Sequence, residues 1–456
     1  MATQRSMLTP RWTKLIPHPK QVALWKCNKR FIVVPAGRRS GKTERAKRKL
    51  VQKALKFYAA TDGRFMASAP THAQAKDIFW DDLKLLTPQK CLYTPAKPWR
   101  SISESKLTIK LYNGAKIQVA GMDKPERAEG SPIDGIILDE YGNMKADVWD
   151  KHVRPALSTI NRPGWAWFIG VPEGRNHYFQ LWKNIELPER TDSWAGFTWF
   201  TADINPEEAE AAKKELDLLT YQQEYEGSFV SFEGRCYYAF DPELNVTPKN
   251  KRLHYDPDLP LILVFDFNSK PGVLGVVQEQ KRPDWFPGPN EDVTCGIDEV
   301  YVERNSNSKL VCQKLLEKDY IKSHKGKVLL HGDATGGAKG SQSVEGSDWD
   351  IIEQVLNPVF GSRLVNMVPR SNPRIRTRVN ATNSRFCSAD GTRRTVFDRI
   401  SCPMFIRDFE GVVSDDHGDP DKKKDEMLTH ASDAFGYYCA EEHPCITGTG
   451  LKRDEL

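Results

Sequence analysis

The stretch "AGRRSGKT" at 36–43 holds glycines, a lysine and a hydroxyl at the spacing of a phosphate cradle. It matches G-x-x-x-x-G-K-[ST] except that Ala36 stands at the first glycine. In such a turn Gly37, Arg38, Arg39, Ser40 and Gly41 offer backbone N–H groups to phosphate oxygens, and the helix opening at Lys42 adds its positive end. Lys42 reaches the terminal phosphates of ATP, and Thr43 presents its hydroxyl to Mg²⁺. The plain alternative is a strand-turn-helix with basic decoration, so a second element must decide. "GIILDEYGN" at 135–143 supplies it: a buried-strand run ends in two adjacent acids. Asp139 is placed to hold magnesium through water, and Glu140, facing another way, to polarise an attacking water. Two residues extend the site. Gln21 in "HPKQ" is a candidate reader of the adenine edge, or else a surface glutamine of a first helix. Arg127 in "DKPERAEGSPIDG" is a candidate phosphate-reaching guanidinium in its own or a neighbouring subunit, or else a solvated loop arginine.

A second group of acids lies in the other half. Asp266 stands in an apolar run, "LPLILVFDFN", where a lone carboxylate is expensive. Asp333 follows the strand of "KVLLHGDATGG", and Asp433 lies on a helix, "MLTHASDAFGYYCAEE", one turn after His430. The order strand-strand-strand-helix-strand allows the fourth strand to pair beside the first, bringing Asp333 next to Asp266. The helix can then deliver Asp433. Three convergent carboxylates suit a pair of Mg²⁺ or Mn²⁺ ions and phosphodiester cleavage. Each has a duller reading as a turn cap or solvated acid, and Asp298, Glu299 and Glu303 are spare ligands. Between the second and third acids, Arg370, Arg374, Arg376, Arg378 and Arg385 form a candidate stripe for tracking DNA phosphates.

Elements that position these groups are readable in outline. "FMASAP" (65–70), "KIQVAG" (116–121) and "AWFIGVP" (166–172) read as strands alternating with helices, hence a doubly wound, mainly parallel α/β sheet. A helical stretch starts at Asn205-Pro206 and ends near Gly227. Residues 228–258, with Gly234, Pro242, Pro248 and Pro257, lack a period and read as a linker that packs partly on its neighbours. The expected organisation is therefore an ATP-binding domain over 1–227, a linker over 228–258, and a second α/β domain over 259–456.

The 456 residues leave room for two cores. A net charge of +5 conceals a concentration of Arg and Lys between Arg5 and Lys49, opposed there only by Glu44, which suits a polyanionic partner. Nine cysteines without a C-x-x-C pair, and no leader or long apolar run, point to a reducing, cytoplasmic setting rather than a disulfide framework or a membrane. The terminal "KRDEL" is read as a coincidental match to a retrieval signal.

An ATPase module followed by a carboxylate module resembles the large subunit of tailed-bacteriophage terminases. "HPKQ", "AGRRSGKT", "APTHAQAKDIFW", "ERAEGSPIDGIILDEYGNM", "IGVPEG", "FDFN", "GDATGG" and "HASDAFGYY" carry the resemblance in order. It implies an N-terminal P-loop ASCE-type ATPase and a C-terminal RNase H-like endonuclease. It also implies Arg38 as a nucleotide-sensing arginine, Arg127 as a trans-acting finger, and Gly170 to Gly174 near the coupling segment. Partners implied are double-stranded DNA, the portal protein of the procapsid, a small terminase subunit, and further copies in a ring, usually pentameric, inside the infected cell. The competing readings are a host DNA-repair or helicase-like ATPase-nuclease and a non-catalytic DNA-binding scaffold.

Overall fold

The computed structural model describes residues 18–445 apart from 175, 188–189, 191, 231–233, 268–269, 338–346, 416–418, 424 and 426. Arg5, Arg11 and Lys14 of the basic run, and the terminal "KRDEL", lie outside the described residues. The chain divides into two compact units, residues 1–210 with 222–231 and residues 211–221 with 232–456.

Ten strands are described in the first unit: β1 (Phe31–Pro35), β2 (Arg64–Ala69), β3 (Ile102–Ser103), β4 (Thr108–Lys110), β5 (Lys116–Gly121), β6 (Gly135–Leu138), β7 (Ser158–Thr159), β8 (Arg162–Pro163), β9 (Trp165–Gly170) and β10 (Trp194–Gly196). β7 and β8 pair only with each other, and the other eight form one sheet in the order β10-β1-β9-β6-β2-β5-β4-β3. It is parallel from β10 to β5 and antiparallel beyond. The alternation of β1 shows how the sequence builds two layers. Ile32 and Val34 enter one core with Leu50 and Val51 of helix α2 (Lys42–Leu55), whereas Phe31 and Val33 enter the opposite core with Ile136 and Leu138. β9 separates β1 from β6, so the cradle and the acid pair stand two strands apart at the same, strand-ending edge. Helix α1 (Pro19–Lys26) precedes β1.

The helical stretch expected from Asn205 to Gly227 is two helices, α3 (Pro206–Glu215) and α4 (Leu218–Glu224). Buried Asp217 explains the break, since its carboxylate accepts the Thr220 N–H at 3.1 Å and caps α4.

The second unit holds a six-stranded sheet of β11 (Leu261–Asp266), β12 (Gly272–Lys281), β13 (Asp292–Val302), β14 (Val328–Gly332), β15 (Leu364–Asn366) and β16 (Thr395–Phe397). Their order is β15-β14-β11-β12-β13-β16. The first three are antiparallel, and β14 returns parallel beside β11, the RNase H-like arrangement. Helices α5 (Ser308–Leu316) and α6 (Asp348–Phe360) cover one face. Helices α7 (Ile375–Phe386), α8 (Pro403–Gly411) and α9 (His430–Glu442) cover the other. Much of the segment expected to be a linker is core here: Cys236, Tyr237, Phe240 and Val246 pack with α8 and α9. No period marks them in sequence because they enter through turns rather than through a helix or strand.

Candidate functional site

The cradle is built where β1 stops. Its loop runs through Arg39 at φ 52° and Gly41 at φ 81° before α2 begins. Gly37 is forced by space, because an added Cβ would stand 2.3 Å from the Tyr225 carbonyl oxygen. The Ser40 hydroxyl donates to the Gly37 carbonyl at 2.5 Å. Two side chains brace the loop from outside. Trp199 Nε1 and Gln21 Nε2 both donate to the Ser40 carbonyl, at 3.0 and 2.7 Å. Gln21 also accepts from Arg45 Nε at 3.1 Å. Gln21, the candidate adenine reader, is thus buried, with both ends of its amide hydrogen-bonded.

Lys42 is buried, with Nζ 3.3 Å from the Ala36 and Gly37 carbonyls. Burial pulls its ammonium below the ordinary lysine range, against the opposing pull of Glu140, Asp139 and Glu224. Thr43 donates its hydroxyl to Asp139 Oδ2 at 2.8 Å. Burial, then the neighbouring Glu140 charge, raise the Asp139 carboxyl to about 6. Glu140 takes a left-handed backbone, φ 51°, and is partly exposed where Asp139 is buried. A hydroxyl and a buried, electrostatically strained carboxylate beside it fit a divalent cation accompanying nucleotide phosphates.

Arg38 pairs through Nε with Glu224, and its own N–H donates to the Glu224 carbonyl at 2.7 Å. Burial works to lower the guanidinium, and Glu224 outweighs it. Glu224, at the end of α4, was not a sequence candidate, since nothing local marks a carboxylate 186 residues away as the partner of Arg38. Arg127 is exposed, and its carbonyl accepts from the Arg64 guanidinium at 2.7 Å.

In the second unit, alternation along β11 puts Ile262, Val264 and therefore Asp266 on the face covered by α9. Phe265 pairs with Gly332, so Asp266 and Asp333 leave the ends of adjacent parallel strands. His430 Nδ1 is 2.8 Å from Asp266 Oδ2. Tyr437, one turn after Asp433, donates to Asp333 Oδ2 at 3.2 Å. Burial, with all three aspartates adding to it, pushes the Tyr437 phenol up despite the opposing Arg378. The three acids therefore share one patch.

Each of them already has a protein partner. Asp433 lies 3.2 Å from Arg378 Nη1 and 2.7 Å from Lys422 Nζ. Burial works to raise Asp333, but hydrogen bonds from Thr335, Asn372 and Tyr437 outweigh it and leave the carboxyl below its usual range. Asp266 is raised, chiefly by burial, with Asp433 also raising it. Among the described residues no group of three or more His, Cys, Asp or Glu is placed to hold a metal ion. Protein cations and hydrogen-bond donors balance the carboxylates of the expected metal set, Asp266, Asp333 and Asp433. The spare acids are committed elsewhere. Asp298 holds Lys318 and Tyr320, Glu299 accepts from the Met404 and Phe405 N–H groups that start α8, and Glu303 faces Arg304.

The arginine stripe needs a second correction. Arg370 and Arg374 are exposed and Arg376 partly so, but Arg378 and Arg385 are buried. Arg378 stacks over Tyr437 at 4.2 Å and faces Asp433, because one turn of α7 further on the helix meets α9. Asp408 was overlooked: buried, with its carboxyl raised to about 6 by burial, it accepts the Ala431 and Ser432 N–H groups at 2.9 and 3.2 Å and fixes the start of α9.

Residues 34–241 match the family model described as terminase large subunit, T4likevirus-type, N-terminal. The terminase large subunit of Thermus phage G20c is 25% identical over 252 residues, covering 49% of this chain and 51% of that one. That of Escherichia phage T5 is 25% identical over 238 residues, covering 50% of each. The chain thus spans about half the length of the curated relatives it matches. Among solved structures, the large terminase of a thermophilic bacteriophage aligns with a TM-score of 0.53 at 16% identity, over 93% of this chain and 99% of that one. The complex of that terminase with ATP-gamma-S aligns at 0.52. The chain is similar to the phage terminase large subunits, and its residues 34–241 match the model of that family's N-terminal part.

Proposed function

We propose that this chain hydrolyses ATP to drive double-stranded viral DNA into a procapsid and that its second unit cuts that DNA. The observation that carries the reading is the set of buried Lys42 and Asp139 with partly exposed Thr43 and Glu140, brought to one edge of the first sheet from two strands. The nucleotide with Mg²⁺ supplies the transferable phosphoryl group and its charge neutralisation. Lys42 and the loop N–H groups bind its phosphates, Thr43 and Asp139 hold the cation, and Glu140 takes the proton of the attacking water. Arg38, kept in place by Glu224, senses the bound phosphate.

Arg127 acts on a neighbouring copy. Its backbone is tied to Arg64, the first residue of β2, whereas its own chain's cradle begins after the last residue of β1. That reading requires a ring, which we take to be a pentamer docked on the portal protein of the procapsid, with a small terminase subunit choosing the start.

Cleavage is assigned to the patch of Asp266, Asp333 and Asp433, supported by the RNase H-like strand order and by their shared influence on Tyr437. Arg370, Arg374 and Arg376 are its proposed DNA contacts. The test of the whole is packaging: purified protein, ATP and cognate procapsids should render duplex DNA resistant to added nuclease. Strand unwinding without such protection would favour the helicase-like reading instead.

A further inference from the structure

The end of α2 remote from the cradle borders a recess that the motor reading does not use. Fourteen residues of helix separate the two, about 20 Å of rise. Lys49, Lys53 and Lys56 follow one another along the helix on the recess side, with Trp25, Phe57 and Trp165 among its walls.

Lys49 is the deepest of the three. It is buried, its Nζ donates to the Trp25 carbonyl at 2.7 Å, and it stands 5.1 Å from the Trp25 ring and 5.8 Å from that of Trp167. Burial, with Lys53 and Lys56 adding to it, lowers its ammonium to about 8. The acid that lines the recess does not relieve this crowding. Asp134 accepts from Arg162 Nε and Nη2 at 2.5 and 2.6 Å and from the Arg64 N–H at 2.7 Å, so both of its oxygens are taken. Neither Lys53 nor Lys56 forms an ion pair with an acid among the described residues. Three crowded ammonium groups beside aromatic walls make a site lacking an anion.

We propose that this recess binds an acidic peptide segment of a partner protein, one that carries an apolar or aromatic side chain next to its carboxylates. Successive lysines on a helix face stand about 5–6 Å apart, a spacing that the side chains of an extended peptide can follow. The aromatic walls add cation-π and apolar contact to the lysine row. A recess receives protruding side chains, whereas duplex phosphates lie on a convex cylinder.

A fluorescein-labelled peptide alternating glutamate with phenylalanine, titrated at low salt against the full chain, tests this by fluorescence anisotropy. Saturable binding is expected, and it should weaken at least about tenfold in Lys53→Glu/Lys56→Glu and when glutamine replaces the peptide glutamates. ATP hydrolysis and thermal unfolding of that variant should match the parent, which keeps this result separate from the fate of the motor reading. Undiminished binding by the variant or by the glutamine peptide overturns the proposal. So does displacement of the peptide by an oligothymidylate of equal length as readily as by unlabelled peptide.

Discussion

Thr43 and Asp139, 96 positions apart, are joined by a hydrogen bond of 2.8 Å from the threonine hydroxyl to Oδ2 of the aspartate. The bond ties the first turn of α2 to the end of β6 and places two oxygen donors where a cation must sit if the nucleotide's phosphates occupy the loop. Burial of Asp139 without that cation has an energetic consequence that can be measured.

The Asp139 carboxyl is raised from 3.8 to about 6 in the fold. The native state then holds this proton more tightly than the unfolded chain, so the stabilising contribution is full below about pH 4 and is lost as pH rises towards about 6. Asp139→Asn removes the charge and keeps an acceptor for Thr43. In chelator at pH 7.5 the first unit of the variant should unfold later than that of the parent, by on the order of 2 kcal/mol. The difference should close near pH 4. Denaturant unfolding followed across that range checks it, and equal stability at pH 7.5 would show that the charge is not strained.

Asp266→Ala should abolish nicking of supercoiled plasmid while ATP hydrolysis continues at the parent rate. The substitution removes the acid paired with His430 at the end of β11 and touches nothing described at the cradle. Gel analysis of plasmid nicking beside a phosphate-release assay separates the two, and unchanged nicking would clear Asp266 of any part in cleavage.

The two kinds of arginine on and before α7 should behave differently. Exposed Arg370 and Arg374, changed together to alanine, should lower DNA affinity and reduce the slope of log K against log salt by about 1–2. Arg378→Ala should leave that slope alone and destabilise the second unit by about 3 kcal/mol, because it strips a partner from buried Asp433. Binding isotherms at several salt concentrations, with an unfolding curve for each variant, decide it.

What the sequence made legible follows from how local each signal is. The apolar run, glycine turn and lysine of β1 and α2 are contiguous, and so are the apolar run and acids that follow β6; both were readable as motifs. Adjacency of Asp266 and Asp333 was readable too, because a crossover helix permits β14 to pair with β11 in few ways. The inward turn of Arg378 was not, since a basic helix does not declare which face it buries until α9 is in place. Nor was the bracing of the cradle by Gln21, Trp199 and Glu224, which depends on parts of the chain far apart in sequence. Tyr237 and Phe240 looked like linker residues because they enter the core from turns, where no period reveals burial.

Steady-state ATP hydrolysis by Glu140→Gln is the most direct test of the motor reading, because Glu140 is the group assigned to the attacking water. Nucleotide affinity should stay within about twofold of the parent, since Lys42 and the loop are untouched, while turnover falls at least about 100-fold. A variant that binds ATP and hydrolyses it at the parent rate would contradict the assignment and the ATP-driven mechanism built on it.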